Sequence, residues 1–360
     1  MKKTLAAVAV LGAFAGSALA ADVTLYGKVD LGLQYTHTEI DFHKSGLDTL
    51  KSDNYEMKSG GNSTSRIGLK GVEDISEGVK VGFQLEQGIK ADKNASTSLF
   101  DRESRLYVAT DYGTLHMGRF GRLDAGSGSL DGLGDLVATG TGYGDIADLS
   151  TIFYVADPSR EANSIAYTSP VFAGVKLSAM ASLGDGEADI IKGVKGEGSS
   201  DVNRYYGLGL EGSWGPLGAG LLVSTEDWAD SVKDQDDSLN LTAGVNYDFG
   251  VLKAYVAGNY YDPGIDDCNR WGVAVGAEAP LAGGNLEVTA GYGKVKAGDA
   301  KSKAVIVGTM YTYPLSKRTY VYGGMGYSTA DDVAIEVDTK KFEMADIKGA
   351  QAVFGLTHNF

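Results

Sequence analysis

Long hydrophobic runs are missing from this chain beyond its first twenty residues. After Ala21 nothing approaches the roughly 18 to 20 consecutive apolar residues of a membrane-spanning helix, which excludes a helical membrane protein. A two-domain globular protein of 340 residues would carry long apolar segments for its cores, and here the apolar residues are spread evenly. Cysteine is nearly absent. Cys268 is the only one, which excludes an intrachain disulfide framework and leaves an unpaired loop thiol. The four histidines (His37, His43, His116 and His358) lack metal-ligand spacing, and no G-x-S-x-G elbow occurs. Basic charge is also short, with 32 Lys and Arg against 47 Asp and Glu. A surface of that sign argues against nucleic acid as a partner.

What is present begins with a secretory signature. Lys2 and Lys3 precede an apolar stretch from Leu5 to Phe14, and Ala18-Leu19-Ala20 is a small-x-small cleavage site. Residues 1–20 are expected to be a signal peptide and residues 21–360 the mature domain. Glycine and tyrosine are abundant, at 51 and 20 residues, and proline is scarce at 6.

Alternation starts at once. Val23, Leu25, Val29, Leu31, Leu33 and Tyr35 share one parity, and Thr24, Lys28, Asp30 and Gln34 share the other. Strand side chains point alternately to opposite faces, so one face suits lipid and the other water. The pattern returns at 79–86, 175–182, 239–247 and 286–293, with no competing helical period. Short turns at 71–78, 111–113, 170–174, 215–218, 248–250, 280–284 and 314–318 alternate with longer polar stretches. Those lie at 38–62, 89–99, 120–160, 184–201, 226–237, 262–269, 296–302 and 328–348. Seven turns and eight loops link sixteen strands. The fold class expected is all-β: a transmembrane antiparallel up-and-down β-barrel of about sixteen strands, closed because lipid cannot satisfy an open edge. Tyr35, Trp214, Tyr247, Tyr260, Trp271, Tyr311 and Tyr327 suit interfacial girdles.

The residues resemble a family, the trimeric Gram-negative general porins, in their β-proteobacterial branch. The likeness spans the mature chain. It is carried by the opening Val23-Thr24-Leu25-Tyr26-Gly27-Lys28 and by the run from Ser65-Arg66-Ile67-Gly68 to Glu73-Asp74. Phe83-Gln84-Leu85-Glu86, Phe100-Asp101-Arg102, Gly118-Arg119, Asn163-Ser164-Ile165, Leu315-Ser316-Lys317-Arg318-Thr319 and the terminal Phe360 complete it. The resemblance implies a homotrimer in outer-membrane lipid and lipopolysaccharide. It also implies Phe360 as a signal for the barrel-assembly machinery, and the third loop, 120–160, folded into the lumen. The function implied is passive diffusion of ions and small hydrophilic solutes, with no cofactor and no enzyme activity.

The loop 120–160 carries Asp124, Asp131 and Asp135 among glycines, expected as constriction acids. Facing them, a basic wall is expected from Lys28, Arg66, Lys70, Lys80 and Arg105, all on inward parities. Arg102 has the opposite parity to Arg105 and faces inward only across a bulge. The resemblance favours Arg102 and adds Arg160, whereas parity favours Arg105, and both are retained. Ion preference stays open, because the wall argues for anions and the loop for cations.

Three rivals carry specific signals. A substrate-specific channel would stack aromatics, and Tyr26, Tyr107 and Tyr255 fall on inward parities without forming a track. A barrel enzyme would need a catalytic set near lipid, but His116 and Ser178 face inward. A non-conducting barrel stays open. Two decoys are set aside. Gly207-Leu208-Gly209-Leu210-Glu211-Gly212 matches a dinucleotide fingerprint but sits inside a strand pattern, and the acidic runs 234–237 and 262–267 read as solvated loops ahead of divalent-cation sites.

Overall fold

A computed structural model of the protein describes residues 23–43, 48–93, 98–125, 130, 150, 152–153, 160–184, 202–229, 235–338 and 341–360. The strands are β1 (Thr24–Phe42), β2 (Leu50–Ser59), β3 (Arg66–Ser76), β4 (Val79–Gly88), β5 (Glu103–Thr110), β6 (Gly113–Gly121), β7 (Arg160–Thr168), β8 (Val175–Ser182) and β9 (Arg204–Trp214). They continue as β10 (Leu217–Asp227), β11 (Leu239–Asp248), β12 (Lys253–Asp262), β13 (Cys268–Leu281), β14 (Gly284–Ala297), β15 (Ala300–Pro314), β16 (Thr319–Asp338) and β17 (Lys341–Asn359). Apart from β2 and β3, which do not pair with each other, each strand pairs antiparallel with the next, and β17 returns to β1 in an unbroken register from Lys28↔Asn359 to Phe42↔Ala345. The wall is therefore a closed barrel, which leaves no open edge to lipid.

Seventeen segments make sixteen strands. Both β2 and β3 pair with β1, over Leu31↔Ser59 to Ile40↔Leu50 and over Thr24↔Lys70 to Lys28↔Arg66. They are one strand interrupted at residues 60–65. Asp30, fully buried, builds the interruption. Its carboxylate accepts from the Gly61 and Ser63 amides at 3.1 and 3.0 Å, from the Tyr322 hydroxyl at 2.6 Å and from Thr357 at 2.8 Å. Four donors on one carboxylate replace the hydration it loses. Gly60 turns out of the ladder at φ 81°, a conformation that favours glycine.

The alternation holds throughout. Leu33, Phe354, Val256, Val275 and Leu356 stand exposed on the outer face, the surface lipid covers. Trp214, Tyr247 and Tyr311 lie toward the short-turn rim. Tyr35, Tyr260, Trp271 and Tyr327 lie toward the other, and all seven share the outward parity. The inward parity is polar or small, as in Asn240, Thr242, Gly244 and Asn246 of β11.

Three expected loops are strands instead. Residues 38–62 mostly continue β1 and form β2, residues 296–302 reduce to a turn at Gly298-Asp299, and residues 328–348 belong to the β16–β17 hairpin. Above the lipid both faces of a strand meet water. The ladder continues there while the hydrophobic period that marks it disappears. Cys268 likewise opens β13 rather than lying in a loop, with its thiol free. The glycines of residues 207–212 lie within β9, where no helix start exists for a phosphate.

Candidate functional site

Inward parity brings the basic residues of β1, β3 and β5 to one side of the lumen. Glu86 is the hub. It receives Arg102 Nε at 2.7 Å, Arg66 Nε at 3.8 Å and the Tyr26 hydroxyl at 3.0 Å. Arg105 donates to Gln84 at 2.8 Å and to His116 Nδ1 at 3.0 Å, and stands 3.5 Å from Glu103. A guanidinium only donates, so His116 Nδ1 is the acceptor. Lys28 reaches Ser63 at 2.9 Å. Arg160, the first residue of β7, lies in the field of Arg102, Glu103, Glu86 and Asp101. Among the described residues, Lys28, Arg66, Arg102, Arg105 and Arg160 share Glu86, Glu103 and Asp101, and Asp30 also acts on Lys28, so five cations meet four carboxylates.

Arg102 and Arg105 both face the cluster. Arg102 precedes the first ladder residue of β5, Glu103, and Phe100 just before it adopts φ 53°. An off-strand residue is not bound by parity, so no bulge is needed inside β5. Lys70 lies over the Tyr26 ring at 5.3 Å. Lys80 is placed elsewhere than expected, at the short-turn rim in a 3.0 Å pair with Asp74. Three residues of strand separate it from Gln84, the residue that meets Arg105.

The other side of the lumen holds the ends of the segment that follows β6. Arg122 and Asp124 are 1% and 0% exposed. Arg122 pairs with Asp124 at 3.2 Å and with Glu226 at 2.5 Å, and its guanidinium lies 4.0 Å from the Tyr205 ring centre. Asp124 also accepts from Ser224 at 2.5 Å and Asn240 at 3.0 Å. Asp124 is therefore an anchor whose charge is matched, not a constriction acid open to solutes. Asp131 and Asp135 lie outside the described residues. Phe120 and Leu123 pack with Tyr205, Leu222 and Met180.

Further along, Ile152 and Phe153 pack on Ala257, Ala274 and Ile306. Arg270 donates to the Ile152 carbonyl at 3.3 Å and to the Ser150 carbonyl. In strand order β11 and β12 stand eight positions round the wall from β3 and β4, which puts them across the lumen.

A closed sixteen-strand barrel holds an aqueous lumen, here with charged walls and with Phe120, Leu123, Ile152 and Phe153 packed against its inner face. A protein-family model described as Gram-negative porin matches residues 6–333. The chain belongs to the Gram-negative porins. It is similar to outer membrane porin protein 32 of Delftia acidovorans, at 31% identity over 350 residues covering 93% of this chain and 91% of that protein. It is also similar to an outer membrane porin protein of Bordetella pertussis, at 29% identity over the full length of both. Among solved structures, the anion-selective porin from Comamonas acidovorans superposes with a TM-score of 0.67 at 26% identity, covering 95% of this chain and all of that one. The porin is thus an integral barrel of the Gram-negative outer membrane and a diffusion channel, in a family of channels rather than enzymes.

Sequence reasoning missed the two groups that organise this porin's lumen. Glu86 carries the inward parity of its strand and was legible as a wall carboxylate. Arg122 gave no signal, since it lies just past β6, where parity ends.

Proposed function

We propose that this porin favours small anions, passing them between the basic cluster and the segment 120–160, which narrows the lumen from the opposite wall. The observation that carries the reading is the excess of cations at Lys28, Arg66, Arg102, Arg105 and Arg160, facing a wall whose Asp124 is already matched by Arg122. Clustered charge in a narrow aqueous gap biases which ion enters. The anion-selective porin of Comamonas acidovorans supports the same sign. Reversal potentials of the purified porin in a potassium chloride gradient test it. Chloride preference is expected, and potassium preference would overturn it.

The same reading takes residues 1–20 as a cleaved signal peptide and the working unit as a homotrimer set in lipid and lipopolysaccharide, without enzyme activity. Phe360 exchanges both backbone hydrogen bonds with Gly27 at 3.0 and 3.1 Å and lays its ring over that glycine on the outer face. It is the proposed signal for the barrel-assembly machinery. Its deletion is expected to lower the amount of barrel in the outer membrane, measured by quantitative blotting of membrane fractions.

A substrate-specific channel is the weaker reading. Tyr26 is tied to Glu86, Tyr107 lies under Arg105 at 5.6 Å, and Tyr255 donates to Glu278 at 2.5 Å. On β1, β5 and β12 these rings form no continuous track among the described residues.

A further inference from the structure

Outside the lumen, three strands meet at the outer rim around one histidine. His43, just past β1, has Nε2 2.9 Å from Asp346 of β17 and Nδ1 3.5 Å from Asp332 of β16. One ring nitrogen and one oxygen of each carboxylate lie within 4.8 Å of one another. The three are held by backbone. The His43 amide donates to the Met344 carbonyl at 3.0 Å. Asp332 occupies a bulge between Ala330 and Val333 at φ 56°, and its amide donates to Asp346 Oδ1 at 3.0 Å.

The charge around the three residues makes an ion pair alone an incomplete account. Asp41 pairs directly with Asp346 in the β1–β17 register, and like charges directly opposite on a sheet repel. Lys348 sits two residues along on the same face, and Glu39 stands opposite it, paired with Lys51 at 2.9 Å. Within this patch Asp41, Asp332 and Asp346 have Lys348 and, when protonated, His43 to offset them.

We propose that His43, Asp332 and Asp346 bind a divalent transition-metal cation of the zinc class, with water completing its coordination. An imidazole nitrogen with two carboxylate oxygens suits such a cation, whereas magnesium prefers an all-oxygen shell. The amide of Asp332, donating to Asp346 Oδ1, holds that carboxylate in place as an outer partner. The bound cation relieves the Asp41–Asp346 repulsion and staples the end of β1 to the β16–β17 hairpin.

The test is calorimetric titration of zinc chloride into untagged, detergent-solubilised porin at neutral pH in a non-coordinating buffer. One site per chain is expected. It should weaken about tenfold or more in His43→Ala and in the milder Asp332→Asn, and it should be unchanged in His37→Ala. Millimolar magnesium should not displace the zinc. Circular dichroism confirms that each variant retains the barrel, and should His43→Ala not fold, Asp332→Asn reads the same site. Carbethoxylation mapped by mass spectrometry gives a second readout on the unaltered porin, with zinc expected to protect His43. The absence of a zinc site, undiminished binding in both folded variants, equal competition by magnesium, or unprotected His43 would each overturn the proposal.

Discussion

Arg122 anchors the start of the segment that follows β6. It is 1% exposed and is shared by Asp124, Glu226 and, at 3.4 Å, Glu161. Buried ion pairs add little net stability over apolar packing, but removing one partner strands the others. Replacing Arg122 with Met should therefore destabilise this region by about 3–5 kcal/mol, because Asp124 and Glu226 would face each other without a cation. Asp124 would lose its hold on the Ser224–Asn240 wall only in part, since both neutral donors remain. The expected result is a barrel that still forms, with a lower heat-modifiability temperature on gels and noisier single-channel currents. Unchanged currents would show that this anchor does not govern the opening. Arg122→Met with Asp124→Asn and Glu226→Gln should recover most of the loss, because only Glu161, the most exposed and most distant of the three partners, then keeps an uncompensated charge.

At the scale of elements, the far end of the same segment is seated by what the wall lacks. A Cβ at Gly272 would lie 2.5 Å from the Ile152 carbonyl, one at Gly293 3.0 Å from it, and one at Gly291 would collide with Ile152 Cδ1. Neighbouring strands β13 and β14 thus leave a bare strip that takes Ile152 against Ala257, Ala274 and Ile306. Gly291→Val fills that strip and should push Ile152 off the wall. The expected readout is a shifted single-channel conductance, with the β-rich circular dichroism of the barrel retained.

These glycines also mark the limit of what the sequence discloses. Alternation located the membrane part of nearly every strand, because lipid imposes it residue by residue. It gave Arg66 and Arg105 their inward face for the same reason. It could not show why Gly291 is glycine, since that depends on Ile152, 139 positions away in sequence. It failed again at Arg102 and Arg122, which stand beyond the ladder, and at the outer ends of β1, β16 and β17, where water on both faces removes the pattern.

For the whole molecule, net charge and pore charge point in opposite directions. The chain carries −15 overall, yet the lumen cluster of β1, β3, β5 and β7 is cationic. Distance decides between them. Charges beyond a screening length of ~10 Å at 0.1 M salt act weakly on an ion in the lumen. A side chain at ~4 Å is worth about 4 kcal/mol at an effective dielectric near 20. Selectivity should therefore track the cluster. Raising the mean salt to 1 M shortens the screening length to ~3 Å, so the reversal potential at a fixed concentration ratio should shrink toward zero. Combined Arg66→Ala, Arg102→Ala and Arg105→Ala should move it toward cations at low salt, with a smaller effect at high salt, and should raise conductance by clearing three long side chains from the lumen. Lys80→Ala serves as the control. Its charge is held by Asp74 at the turn rim, so its reversal potential should stay with that of the parent. If Lys80→Ala shifts the potential as far as the triple variant does, selection occurs along the whole lumen and not at the Glu86 cluster.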